Sequence, residues 1–180
     1  MAIENKVALG TGAGQGIGRA ATAGHVAVAR DTVVLEQIPI SPDERERCRR
    51  VLDDLQDQPL RGQVDGLPEA FFADLRLKMH AVQHEPDQVE VMTIRVGEAA
   101  IVGLPGEVFC EFGLELKRRS PAPHTLVVEL SNDAIGYLPT RESFAQGGYE
   151  VTVGSTLYAP GAGERLVDAA AAQLQRLFSN

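Results

Sequence analysis

Ala99-Ala100-Ile101-Val102-Gly103-Leu104, followed by Pro105-Gly106-Glu107, and Thr125-Leu126-Val127-Val128-Glu129-Leu130, followed by Ser131-Asn132-Asp133-Ala134-Ile135-Gly136-Tyr137, are the stretches that decide the fold. Each opens as a short apolar run ended by turn residues, which is how a buried strand reads. Between them, residues 107–119 carry Val108, Phe109, Phe112 and Leu116 on one helical face, and Pro121 and Pro123 break the chain. Strand, helix, strand makes a βαβ unit, whose strands run parallel and usually side by side. Both strands then end on one side of the sheet, and ligands bind beyond such carboxyl ends. Glu107, Asn132, Asp133 and Tyr137 are expected there.

Spacing alone leaves a plainer reading of the two main candidates first. Glu107 would be a first-turn carboxylate complementing a helix dipole. Tyr137 would bury its ring and wet its hydroxyl.

Upstream, Val89, Val91, Ile94 and Val96 give a strand, and Gly97-Glu98 turns it into 99–104 as a hairpin. Ser41-Pro42-Asp43-Glu44 starts a helix expected to run to about Asp57, with an N-cap serine, proline at the first position and a capping-box glutamate. A second helix follows Gly66-Leu67-Pro68, with the stripe Phe71, Phe72, Leu75, Met79 and Val82, and ends before Pro86. The runs 25–29 and 32–38 are rich in apolar and β-branched residues. Residues 131–148 form a long irregular loop of the kind that carries function. Tyr149–Val153 is a possible strand, and 163–178 is an amphipathic closing helix. The fold class expected is α/β, a βαβ-containing sheet with packed helices.

The chain has 180 residues, 44% hydrophobic, so one ordinary core is within reach; a net charge of -8 argues against a nucleic-acid partner. Arg45 to Arg50, interleaved with Glu46, reads as a solvated helix face. Cys48 and Cys110 read as free thiols. The first residues lack the apolar run of a signal peptide, and no stretch has the length of a membrane span, so a cytoplasmic location is expected if this start is native.

Two resemblances follow. Lys6-Val7-Ala8-Leu9, Thr11-Gly12 and Gly16-Ile17-Gly18 resemble the opening of a short-chain dehydrogenase/reductase, implying Gly12, Gly16 and Gly18 as a phosphate-cradling loop for NAD(P). Only six residues separate Gly18 from His25, while a crossover helix needs about a dozen. The Tyr-x-x-x-Lys of that family is also absent, because Arg141, Val153 and Ala162 lie four residues after the three tyrosines.

The second resemblance covers about residues 89–178 by motif, and 32–88 by texture. Leu104-Pro105-Gly106-Glu107, Gly113-x-x-Leu116-x-x-Arg119, Asn132-x-x-x-x-Tyr137, Thr140-Arg141-Glu142, Tyr149-Glu150 and Ser155-Thr156-Leu157-Tyr158-x-Pro160 look like the C-terminal part of a neutral ceramidase catalytic domain. The resemblance implies a zinc-dependent amide hydrolase acting on an N-acyl sphingoid base or related N-acyl lipid, with Glu107 and Tyr137 as zinc ligands. It implies a division into a dehydrogenase-like piece, 1–31, and a fragment of a larger hydrolase domain, 32–180. The family's two zinc histidines lie upstream of the matched region, so the chain alone is expected to be inactive. His80 and His84, four apart on a helix, read first as polar residues at the end of an amphipathic helix, and no histidine is assigned to the site. An NAD(P)-binding oxidoreductase and a non-catalytic domain that binds a lipid or partner are the alternatives.

Overall fold

In a computed structural model that describes residues 26–54, 67–82 and 86–179, a four-stranded sheet forms the frame. Its strands are β1 (Val26–Leu35), β2 (Asp87–Val96), β3 (Ala99–Gly103) and β5 (His124–Val128), in the order β1-β2-β3-β5. β1 and β3 each pair antiparallel with β2, whereas β5 pairs parallel with β3. The hairpin turn is the expected one: Gly97, at φ 59°, takes the left-handed position that a two-residue connection needs. The parallel β3–β5 pair spanning an intervening helix is also as expected.

Of the runs expected at 25–29 and 32–38, residues 26–29 and 32–35 belong to one strand, which ends at Leu35. Arg30 and Asp31 continue the ladder opposite Met92 and Val91, because alternation places Arg30 outward and turns Asp31 to the helix side. Asp31 meets Gln173 and Arg176 there. His25 lies outside the described residues.

One face of the sheet is covered by the closing helix, α5 (Ala162–Phe178), which follows the short α4 (Ser143–Gln146) and whose Leu166, Val167, Ala170 and Leu174 are buried. These meet Val89, Val91, Ala100 and Val102 in the main core. Fully burying such an aliphatic side chain stabilises the fold by about 1.5–3 kcal/mol. α5 also packs on α3 (Cys110–Arg119), and so closely that a Cβ on Gly163 would lie 2.3 Å from the Phe112 ring.

α1 (Pro42–Asp53) starts as the capping box predicts, with the Glu44 amide donating to the Ser41 hydroxyl at 3.1 Å. It ends earlier than Asp57, with Asp54 as C-cap. α1, with Cys48 buried, packs on α2 (Glu69–Val82) and is joined to it by ion pairs of Arg76 with Glu44 and of Arg47 with Glu69. The inward face of α2 is Ala70, Phe72, Ala73 and Met79, while Phe71 and Val82 are exposed. The buried stripe thus differs from the one expected at Phe71 and Val82, with Ala70 and Ala73 inside instead. Both cysteines are free. Among the described residues, no helix is long and apolar enough to cross a membrane.

Two further corrections concern the segment after β5. The strand ends at Val128 rather than 130, because Leu130 and Asn132 take positive φ, 51° and 68°, and turn the chain. Residues 149–153 are turns rather than a strand: Thr152 N–H binds the Tyr149 carbonyl and Ser155 N–H the Thr152 carbonyl, so local bonds use the groups a ladder would need.

Candidate active site at the carboxyl ends of the parallel strands

Pro105-Gly106 carries the chain off β3 and into a loop–loop lattice. Ser131 N–H donates to the Leu104 carbonyl at 2.9 Å and Ile135 N–H to the Pro105 carbonyl at 3.2 Å. Glycine is required at 106, because a Cβ there would come within 2.7 Å of both the Gly136 carbonyl oxygen and Leu138. That close approach lets residues 107–108 and 137–138 pair as a second, two-stranded parallel sheet, β4 (Glu107–Val108) with β6 (Tyr137–Leu138).

The helix expected from 107 therefore begins at Cys110. Glu107 N–H donates to the Gly136 carbonyl and Phe109 N–H to the Leu138 carbonyl. The plainer reading of Glu107 as a first-turn dipole carboxylate fails, since it stands in a strand three residues ahead of α3.

Glu107 and Tyr137 are register partners. Partners in a ladder project from the same face, so carboxylate and phenol leave it together. Burial first, then a hydrogen bond to the Glu107 carboxylate and that group's charge, push the Tyr137 phenol above its ordinary range; Tyr149 and Glu150 add to the shift. The Tyr137 ring meets the Tyr149 ring edge-on, with centroids 5.7 Å apart at 79°. Its backbone N–H is held by the Ser155 carbonyl at 3.2 Å.

Other candidates are placed elsewhere. Asn132 turns its amide to Glu90 on β2, at 2.9 Å, rather than to Glu107. Glu90 also faces Arg30. His124 opens β5, at the opposite end of the sheet from the crevice. His80 accepts from the Arg45 guanidinium on α1. His84, Gly12, Gly16 and Gly18 lie outside the described residues. Among the described residues, no group of three or more His, Cys, Asp or Glu stands close enough to hold a metal ion.

The sequence reading missed the buried Tyr158 network at the same end of the sheet. The Tyr158 hydroxyl donates to Asp87 Oδ2 at 2.8 Å, and Gln37 Nε2 donates to the same oxygen at 2.7 Å. Burial first, then the Asp87 hydrogen bond and charge, push the Tyr158 phenol far up. The available signal was the hairpin itself. β2 runs antiparallel to β3 with Met92 opposite Gly103, so its first residue, Asp87, lies beyond the carboxyl end of β3 and pairs with Leu35 of β1.

No protein-family model and no curated protein matches the chain. Solved structures that share its fold include two ceramidases. One is neutral ceramidase from Pseudomonas aeruginosa, 17% identical over 86% of this chain with a TM-score of 0.54. The other is a ceramidase complexed with C2, 17% identical over 86% of this chain with a TM-score of 0.55. The chain spans 28% and 30% of those two proteins. It is a mixed α/β protein matching part of a larger domain. Its fold is ceramidase-like.

Proposed function

We propose that this chain carries the carboxylate–phenol half of a zinc amidohydrolase site of the neutral ceramidase type, for which an N-acyl sphingoid base or related N-acyl lipid would be the substrate. The observation that carries the reading is the β4–β6 ladder, which sends Glu107 and Tyr137 from one face in register. A carboxylate and a phenol are oxygen donors suited to zinc, and the Gly106 approach that brings them together serves no helix or main-sheet pairing.

The fit is partial. A catalytic zinc takes three protein ligands, and the described residues offer two at this place. Zinc would polarise the amide carbonyl and supply a hydroxide nucleophile near neutral pH. What this chain's own residues do is hold a negative oxygen and a phenol on one rigid ladder, with Tyr149 against the phenol ring.

The test is calorimetric titration of the chain with zinc near neutral pH. Weak binding is expected, and it should fall with Glu107→Gln and with Tyr137→Phe, each of which keeps the fold by circular dichroism. Zinc binding untouched by both substitutions would overturn the reading.

A further inference from the structure

The Tyr137 ring is the end of an aromatic chain that starts inside α2. Phe72, 1% exposed, meets the Tyr149 ring with centroids 5.9 Å apart at 60°, and Tyr149 meets Tyr137 at 5.7 Å and 79°. Phe71 closes on Phe72 from behind, at 5.3 Å and 86°.

The segment that carries Tyr149 touches Tyr137 twice, with the Tyr149 ring on the side chain and the Ser155 carbonyl on the backbone N–H. The same segment rests on α2. Gly154, at φ 121°, comes so near that a Cβ there would lie 3.1 Å from Leu75 Cβ and 3.7 Å from the Phe72 ring. Residues 149–155 thus form a spacer between α2 and β6.

A ladder of two residues fixes the backbone of Tyr137 and the face it leaves, but not the side-chain torsions. Those are set by what packs on the ring, and a ligand or catalytic group has to be held to about half an ångström. Tyr149 is the ring that does so, and Tyr149 is itself held by a ring that cannot move without repacking α2.

We propose that Phe72 is a positioning residue for Tyr137: acting through Tyr149, it sets the torsion at which the phenol stands beside Glu107. The inference rests on reading Glu107 and Tyr137 as a ligand pair. It adds that the helical hairpin α1–α2, remote from both residues in sequence, is the support on which that pair depends.

The experiment uses ring-labelled tyrosine and NMR, which the composition favours, because the chain has three tyrosines and no tryptophan. In Phe72→Leu the edge contact to Tyr149 is lost while an apolar side chain still fills most of the space. The ring signals of Tyr149 and Tyr137 are expected to shift together, the cross-peak between them to weaken, and zinc affinity to fall about tenfold, as for loss of a group that orients a ligand. Tyr149→Leu should move the Tyr137 signals alike, and adding Phe72→Leu to it should move them no further. Leu174→Ala, on the buried face of α5, is the control. It should lower stability at least as much and leave the Tyr137 ring unmoved.

Unmoved Tyr137 signals in folded Phe72→Leu would overturn the proposal, as would an equal shift in Leu174→Ala. If Phe72→Leu does not fold, Tyr149→Leu removes the same link from the other side, and an unmoved Tyr137 ring there is equally decisive. A shifted ring combined with zinc binding that ignores Glu107→Gln would sink the ligand reading and leave the positioning role standing.

Discussion

The Glu107 carboxylate and the Tyr137 phenol leave the same face of a two-residue parallel ladder, and burial first, then the neighbouring carboxylate, holds the phenol above its ordinary range. The arrangement exists because Gly106 lets the 135–138 segment approach a backbone that would otherwise have begun a helix.

If Glu107 and Tyr137 are zinc ligands as proposed, the described residues supply two of the three protein ligands a catalytic zinc needs, and this chain should not hydrolyse N-acyl amides. Purified protein is incubated with zinc and a fluorogenic N-acyl substrate. The expected rate equals the protein-free background, with no effect of a chelator. Chelator-sensitive turnover would mean that the missing ligands are supplied within the 180 residues after all.

Dinucleotides should not stabilise the chain. Val26–Ala29, the run that would follow a dehydrogenase crossover, pairs antiparallel with Thr93–Val96, whereas a Rossmann-type second strand is parallel to its neighbour. Millimolar NAD(H) or NADP(H) should leave the melting temperature unchanged. A rise of several degrees, lost on substituting Gly16, would contradict this.

Tyr158 should make stability fall in alkali. Its phenol is held up by burial and by Asp87, so the folded chain keeps its proton above the pH at which the unfolded chain loses it. The stabilisation is therefore complete below about pH 10 and is lost progressively as pH rises beyond it. Tyr158→Phe should lower stability near pH 7 by about 1.5–3 kcal/mol, the worth of a hydrogen bond to a charged group. It should also flatten the decline above pH 10. Denaturant melts at pH 7 and pH 10.5 check both parts, and an undiminished slope in the variant would remove Tyr158 as its source.

Gly163→Ala should destabilise despite lying in a helix. Alanine gains roughly 1 kcal/mol over glycine in helix propensity. The new Cβ would sit 2.3 Å from the Phe112 ring, and overpacking of that kind costs about 1–3 kcal/mol. Thermal unfolding should show a net loss, and Phe112→Leu in the same chain should recover part of it. A gain in stability from Gly163→Ala alone would show that α3 yields more easily than the packing implies.

What the sequence determined by itself is the set of local and nearest-neighbour features. The capping box at Ser41–Glu44, the Gly97 hairpin, the crossover from β3 to β5 and the closing amphipathic helix all follow from periodicity, caps and turn residues close along the chain. Tertiary structure decided the rest. Residues 107–109 have a helix-compatible pattern, but Glu107 N–H is taken by the Gly136 carbonyl and Phe109 N–H by the Leu138 carbonyl, so the second ladder replaces the first helical turn. Asn132 sits in a motif with Tyr137, yet a left-handed backbone turns its amide to Glu90. Phe72 looks like any core position of an amphipathic helix, and its contact with Tyr149 joins segments far apart in sequence. The physical reason is the same in each case. Periodicity records which way a side chain faces relative to its own element, whereas the partner it meets depends on backbone pairings that no local pattern encodes.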